Sequence, residues 1–217
     1  MTLPDLPVSD RCTAELTRLH LDEVQAPLDF GRVFGNDRDV ELEVGVGKGR
    51  FLMLAATAMP DRNFVGVEYA RRYLERAIAR IGKRGLANVR LVHAEALAFL
   101  ERFVAEKSVR AVHIYFPDPW PKKRHHKRRL IRPAVMTELA RVMRSGASLR
   151  VVTDHDDYAA VIREVLSADG RFCTASEDRL EWKLPGMDRL IGPGVTNFEI
   201  KYRREGRSFH RFAVQRI

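Results

Sequence analysis

From Val40 to Thr153, five short runs of aliphatic and β-branched residues alternate with stretches in which apolar side chains fall three and four apart. No other feature narrows the fold as much. The runs are Val40 to Val44, Asn63 to Val67, Val89 to His93, Ala111 to Phe116 and Ser148 to Thr153, each apolar enough to be covered on both faces. The stretches Gly49 to Ala58, Arg71 to Ile81, Ala94 to Ala105, Arg132 to Arg144 and Asp156 to Ala168 have the period of helices that pack one side against such a sheet. This alternation predicts an α/β fold with helices on both faces of a mostly parallel sheet. Gly170 to Thr174 and Phe209 to Gln215 read as two more strands closing one edge, which makes a Rossmann-like, seven-stranded sheet in a single domain. Residues 1–38 stand outside the pattern, as an arm or cover with one helix expected around Thr13 to Val24, and residues 39–217 form the domain.

Composition removes several classes. The longest uncharged apolar stretch, Phe51 to Pro60, is far below the roughly twenty residues that cross a bilayer, so no membrane partner is expected. The amino terminus has prolines and acids where a secretory signal needs a basic start and an apolar middle. Cys12 and Cys173 are far apart and belong to no Cys/His cluster, which argues against a disulfide framework or zinc site and for a cytoplasmic chain. The net charge is +9, and the run Lys122 to Arg129, K-K-R-H-H-K-R-R, holds six positive charges and no acid, so most of the excess sits in one place.

The first chemistry-bearing stretch is V-E-L-E-V-G-V-G-K-G-R-F, where a strand runs into Gly45, Gly47 and Gly49 and then a helix. Glycines there let a ligand approach the backbone and accept positive φ angles. Their spacing differs from the G-x-G-x-x-G of dinucleotide sites, and Glu43, two residues before the first glycine, would repel a pyrophosphate. It would hold an ammonium, such as that of the methionine part of S-adenosylmethionine. Glu68 ends the next strand, where a carboxylate can accept both ribose hydroxyls, or can simply open a helix against its dipole. Glu95 follows the third strand at the same rim. Three acids at three successive strand ends point to a bound nucleoside.

The second stretch is I-Y-F-P-D-P-W-P-K-K-R-H-H-K-R-R from Ile114. A strand ends with Asp118 between two prolines that stiffen the backbone, as an acceptor pocket requires. Trp120 or Phe116 can stack on a base or simply line the rim. The acid-free basic run that follows is read as a seat for RNA phosphates. His125 and His126 are adjacent, do not share a helix face, and have no further ligands nearby, so no metal is expected. At the end of the fifth strand, Asp154 is expected to point into the pocket, while another of the acids caps the next helix. Cys173, His20, His93 and His113 read as packing residues, and Trp182 stands in a stretch without an evident role.

Together these segments resemble the tRNA (guanine-N7-)-methyltransferases, which modify a guanine in the variable loop of tRNA. The likeness runs from Val40 to the end, and its distinguishing piece is F-P-D-P-W-P-K-K-R-H-H-K-R-R. It implies cofactor contacts at Glu43, Gly45, Gly47, Gly49, Glu68, Glu95 and Asp118, with Asp118 also catalytic. It further implies substrate contacts at Lys122, Asp154, Thr196, Asn197, Phe198 and Glu199, and RNA contacts at Arg124, His125, His126, Lys127, Arg128 and Arg129. The chain departs from the family's pattern at Glu95, where Asp is usual, and at T-N-F-E, where Asn197 replaces a basic residue. The stretch Lys183 to Val195 does not align with it.

The implied partners are tRNA and S-adenosylmethionine, with a monomer and a homodimer equally open. Guanine N7 offers a free lone pair, so the reaction needs positioning and no general base. Three rivals stand beside it. An amino-group methyltransferase is disfavoured by Asp118 where an N-P-P-Y type loop has Asn, since an ionised carboxylate does not donate. A non-catalytic RNA-binding protein is disfavoured by the intact glycine loop and its acids, and a nicotinamide dehydrogenase by the glycine spacing.

Overall fold

The computed structural model describes residues 15–174 and 196–217 of the chain. Among these residues seven strands form one sheet in the order β3-β2-β1-β4-β5-β7-β6, with β1 Val40–Val44, β2 Asn63–Glu68, β3 Val89–His93, β4 Val109–Tyr115, β5 Met143–Thr153, β6 Phe172–Thr174 and β7 His210–Arg216. The first five run parallel, and β7 enters antiparallel between β5 and β6, pairing Leu149 with Val214 and Val151 with Phe212. The helices are α1 Phe30–Phe34, α2 Arg50–Ala58, α3 Arg71–Gly82, α4 Ala96–Phe103, α5 Pro133–Val142, α6 Asp156–Ala168 and α7 Asn197–Arg204. The expected α/β architecture is the one observed. No helix of the described residues is long and apolar enough to cross a membrane.

The alternation of strand side chains divides the core into two layers. Leu42 and Val44 of β1 and Val112 and Ile114 of β4 join one apolar cluster with Phe99 and Leu100 of α4, Leu139 of α5 and Ile162 of α6. The other face packs Phe51 and Leu52 of α2 against Leu74, Ile78 and Ile81 of α3, with Tyr115 and Val152 from the sheet. Gly66 belongs to this layer, because a Cβ there would lie 2.5 Å from both Leu52 and Leu91 side chains. The chain winds outward through β1, β2 and β3, then returns to place β4 on the other side of β1. This reversal leaves a crevice above the carboxyl ends of β1 and β4, where ligands of open α/β sheets bind.

Several local expectations change. The helix expected around Thr13 to Val24 does not extend past Thr17 among the described residues; Arg18 instead bridges Leu91 on the outer edge of β3, and turns follow. The side chain of Leu28 then plugs the core, with the Leu28 amide donating to the Phe103 carbonyl at 2.8 Å. The T-N-F-E element opens α7: the Thr196 hydroxyl accepts from the Glu199 amide at 2.9 Å, the amino-terminal half of a capping box. The basic run coils into a 3₁₀ helix over Lys123–Arg128. Cys173 is exposed and His93 is exposed too, so neither packs in the core. Cys12, Trp182 and residues 183–195 lie outside the described residues.

Candidate active site

The crevice is a cleft of about 1000 Å³, at the upper end of the range for small-molecule sites. Its floor is the end of β1. Glu43 sits there 2% exposed, with Oε2 buried and without a hydrogen-bond partner. Burial, and after it the neighbouring charge of Glu68, pushes the Glu43 carboxyl well above the usual carboxylate range. A buried acceptor without a partner is expensive in a folded chain, so its retention at the base of a cleft points to a cationic ligand.

The glycine loop forms the adjoining wall. Gly45 and Gly47 have φ of 84° and 55°, and open space lies where a Cβ would be at either, so bare backbone faces the cleft. Glu68, at the end of β2, braces this loop: its Oε2 accepts from the Gly47 amide and its Oε1 from the Ala70 amide, both at 2.8 Å. Each oxygen keeps a further lone pair for a ligand hydroxyl. Glu95 lines the cleft while one carboxylate oxygen caps α4 through the Ala98 amide.

Gly49 has a different task from the one expected of it. It does not line the cleft, and a Cβ on it would stand 2.8 Å from the Ala77 Cβ, so it lets α2 pack against α3. Beneath the loop lies a polar chain in the apolar layer. His113 is fully buried, its Nε2 3.0 Å from Glu41 Oε2 and its Nδ1 3.0 Å from the Tyr115 hydroxyl. Burial alone would raise Glu41, but the hydrogen bond from His113 and the charge and hydrogen bond of the Arg62 guanidinium bring it down to about 2, while burial lowers His113. The neutral imidazole therefore donates from Nε2 to Glu41 and accepts the Tyr115 proton at Nδ1, which fixes the Tyr115 ring in the cleft wall.

The opposite wall is the P-D-P-W turn. Asp118 is exposed in the cleft between Phe116 and Trp120, both of which hold left-handed φ angles, 54° and 43°. Such angles cost a bulky side chain on the order of 1–3 kcal/mol and cluster where function needs a fixed geometry. Packing holds them: Phe116 meets Phe198, Tyr202 and Phe209 at ring distances of 5.5–6.2 Å. The Arg128 guanidinium lies 5.0 Å over the Trp120 ring, and His125 meets its edge at 5.7 Å, which ties the basic helix to the acceptor turn.

The structure brings Glu43, Gly45, Gly47, Glu68, Glu95, Asp118, Arg128, Thr196, Asn197 and Phe198 onto one cleft. Lys122, Arg124, His126 and Lys127 are exposed on the strip beside it, and His125 is half-buried against Trp120. Arg129, expected to touch RNA, is turned inward at 5% exposure; its Nε donates to the Pro119 carbonyl and its guanidinium covers the Tyr158 ring, so it anchors the turn. Glu199 is buried, does not line the cleft, and pairs with Arg203 and Arg211. Asp154 pairs with Arg207 at 2.7 Å and also does not line the cleft. Among cleft residues that sequence reasoning passed over are Arg50, with a buried unpartnered Nε, and Tyr69, 73% exposed directly after Glu68. An aromatic at the strand end beside a proposed ribose acid was the available sign of Tyr69.

A switch-point cleft with a glycine loop, an acid on its floor and acids along its rim defines a nucleoside-binding, methyltransferase-type α/β protein. A family model described as putative methyltransferase matches residues 37–212. The chain is 39% identical to a tRNA (guanine-N(7)-)-methyltransferase of Nitrosococcus oceani, over 85% of this chain and 80% of that one, and 36% identical to one of Nocardia farcinica, over 88% and 72%. It belongs to the tRNA (guanine-N(7)-)-methyltransferase family. A crystal structure of an aminoglycoside resistance methyltransferase shares the fold with a TM-score of 0.54 at 16% identity, covering 87% of this chain and 92% of that one.

Proposed function

We propose that the chain transfers the methyl group of S-adenosylmethionine to N7 of a guanine in the variable loop of tRNA, in the cytoplasm. The observation that carries this is the continuity of the cleft: a floor carboxylate without a partner, Glu43, shares one cavity with Asp118 and with Arg128 of the basic helix. The residues fit the cofactor. Glu43 would take its ammonium, the bare backbone at Gly45 and Gly47 admits the methionine chain, Glu68 has lone pairs for the ribose hydroxyls, and Glu95 with Tyr69 borders the adenosine end.

When bound, the cofactor supplies an electrophilic methyl on a cationic sulfur. A guanine N7 lone pair could accept that methyl without first losing a proton, so positive charge would grow on the base and no general base would be needed. The protein's share is orientation and charge. Asp118, held between Pro117 and Pro119, would accept from the guanine N1 and N2 hydrogens and offset the charge growing on the ring. Asn197 and Phe198 at the start of α7 would border the base, and the exposed cations Lys122, Arg124, Lys127 and Arg128 would hold phosphates.

The test is incubation with unmodified tRNA and methyl-labelled cofactor, followed by nucleoside analysis. Label in 7-methylguanosine supports the reading. Label on an exocyclic amino group, or none transferred while both ligands bind, overturns it.

A further inference from the structure

Helix α3 leaves the cleft at Ala70 and Tyr73 and carries a second concentration of positive charge that the site does not use. Arg72, Arg76, Arg80 and the C-cap residue Lys83 follow one another at spacings of four, four and three residues, so they share the face opposite buried Leu74, Ile78 and Ile81, and Arg84 follows in the turn beyond. At 1.5 Å per residue the stripe is about 18 Å long. None of its five cations has a carboxylate partner among the described residues. The one acid of the helix, Glu75, lies off the stripe and is held by Arg18 at 2.6 Å and Arg71 at 3.8 Å.

The stripe joins the cleft through Arg50. Gly49 brings the start of α2 against Ala77 of α3, and Arg50 lines the cleft while its charge bears on Arg80. Like charges at four-residue spacing destabilise a helix by about 0.2–0.5 kcal/mol per pair, so a row of them without acids has no value for folding. Elsewhere on the chain exposed arginines do find acids, as Arg110 and Arg144 do with Asp39 and Arg207 does with Asp154. A membrane partner is disfavoured, because the aliphatic residues of α3, Leu74, Ile78 and Ile81, are buried in the core and its exposed aromatic, Tyr73, lines the cleft.

We propose that the α3 stripe is a second seat for an RNA sugar–phosphate backbone, on the flank of the cleft away from the Lys123–Arg128 helix, so that a bound tRNA is gripped on both sides of the methylated base. The inference rests on the tRNA reading above. Its partner is recognised by charge and shape alone, since arginines on a convex helix face meet phosphates without reading bases.

The test compares the parent chain with a combined Arg76→Ala, Arg80→Ala, Lys83→Ala variant, none of which touches the cleft. Cofactor affinity is measured by calorimetry, tRNA binding as a function of salt, and methylation as KM against kcat. The expected result is unchanged cofactor affinity, a salt slope smaller in magnitude by about 2 to 3, and a KM for tRNA raised on the order of tenfold with kcat retained at saturation. An unchanged KM and salt slope in a variant that folds and binds cofactor overturns the proposal. So does loss of binding to phosphatidylserine vesicles with tRNA binding intact, which would make the stripe a membrane contact. If the parent methylates no tRNA, binding of a mixed-sequence duplex RNA still decides: a weaker, less salt-sensitive interaction in the variant supports the surface while the functional reading falls, and equal binding overturns the surface as well.

Discussion

Glu43 offers the sharpest link between the energetics of the free protein and its activity. Its carboxyl is 2% exposed, faces Glu68 and has one oxygen without a partner, so burial and that neighbouring charge hold its proton affinity well above the ordinary value of 4.5. The sign follows. A folded-state value above the unfolded one means that stability is greatest below about pH 4.5 and falls as pH climbs through the raised value. An incoming ammonium favours the ionised form, so binding expels a proton and affinity increases with pH below the raised value, by up to about tenfold per pH unit. Glu43→Gln removes the charge in a side chain of the same shape. Breaking one side of a buried, hydrogen-bonded charge pair costs about 2–5 kcal/mol, which is about 30-fold to 5,000-fold in cofactor affinity. The free variant is expected to be at least as stable as the parent at neutral pH, because an amide has no charge to desolvate. Calorimetry in buffers of different ionisation enthalpy measures the released proton, and thermal melts measure the stability. Proton-neutral binding with a flat pH profile, together with an unaltered Kd in Glu43→Gln, would show that Glu43 does not receive the ammonium.

Asp118→Ala is expected to lower kcat by on the order of 10²–10³ through lost charge stabilisation, measured by single-turnover methylation at saturating tRNA. Gly49→Ala combines a φ of 71° with a Cβ 2.8 Å from Ala77 and is expected to destabilise by about 2–3 kcal/mol in denaturant melts, whereas Gly47→Ala, with open space, loses cofactor affinity more than stability. Glu41, brought to about 2 by His113 and Arg62, contributes stability that is complete above pH 4.5 and is lost as pH falls from 4.5 toward 2; acid unfolding monitored by circular dichroism is expected to shift upward in pH in Glu41→Gln.

What could be read from residue order and what could not divide along physical lines. The strands of the parallel sheet were legible because burial on both faces forces continuous apolar runs, and the glycine loop because its backbone conformation excludes side chains. Glu41 and Glu43 lie within such a run and still did not obscure it. Only one of them was identified as special, since the partner of Glu41, His113, comes from β4, 72 residues away. The T-N-F-E element was read for substrate contact, yet T-x-x-E is also a helix-opening signature: Thr196 caps α7 through the Glu199 amide, while the Glu199 side chain turns to Arg203 and Arg211. Arg129 looked like its basic neighbours because a run of charges does not show which member faces inward; the carbonyl of Pro119 and the face of Tyr158 decide that, and both are fixed only by tertiary packing. The α3 stripe was hidden for the same reason: its cations are dispersed over thirteen residues and gather only when the helix forms.

In the proposed function, one cleft holds the cofactor by Glu43 and presents the acceptor base to Asp118. A crystal structure of the protein with S-adenosylhomocysteine tests it most directly. The amino group is expected within hydrogen-bond distance of the Glu43 carboxylate, the ribose hydroxyls on Glu68, and the sulfur facing the space beside Asp118. A ligand seated elsewhere on the molecule, or one whose amino group turns to solvent while Glu43 stays buried and unpaired, would contradict it.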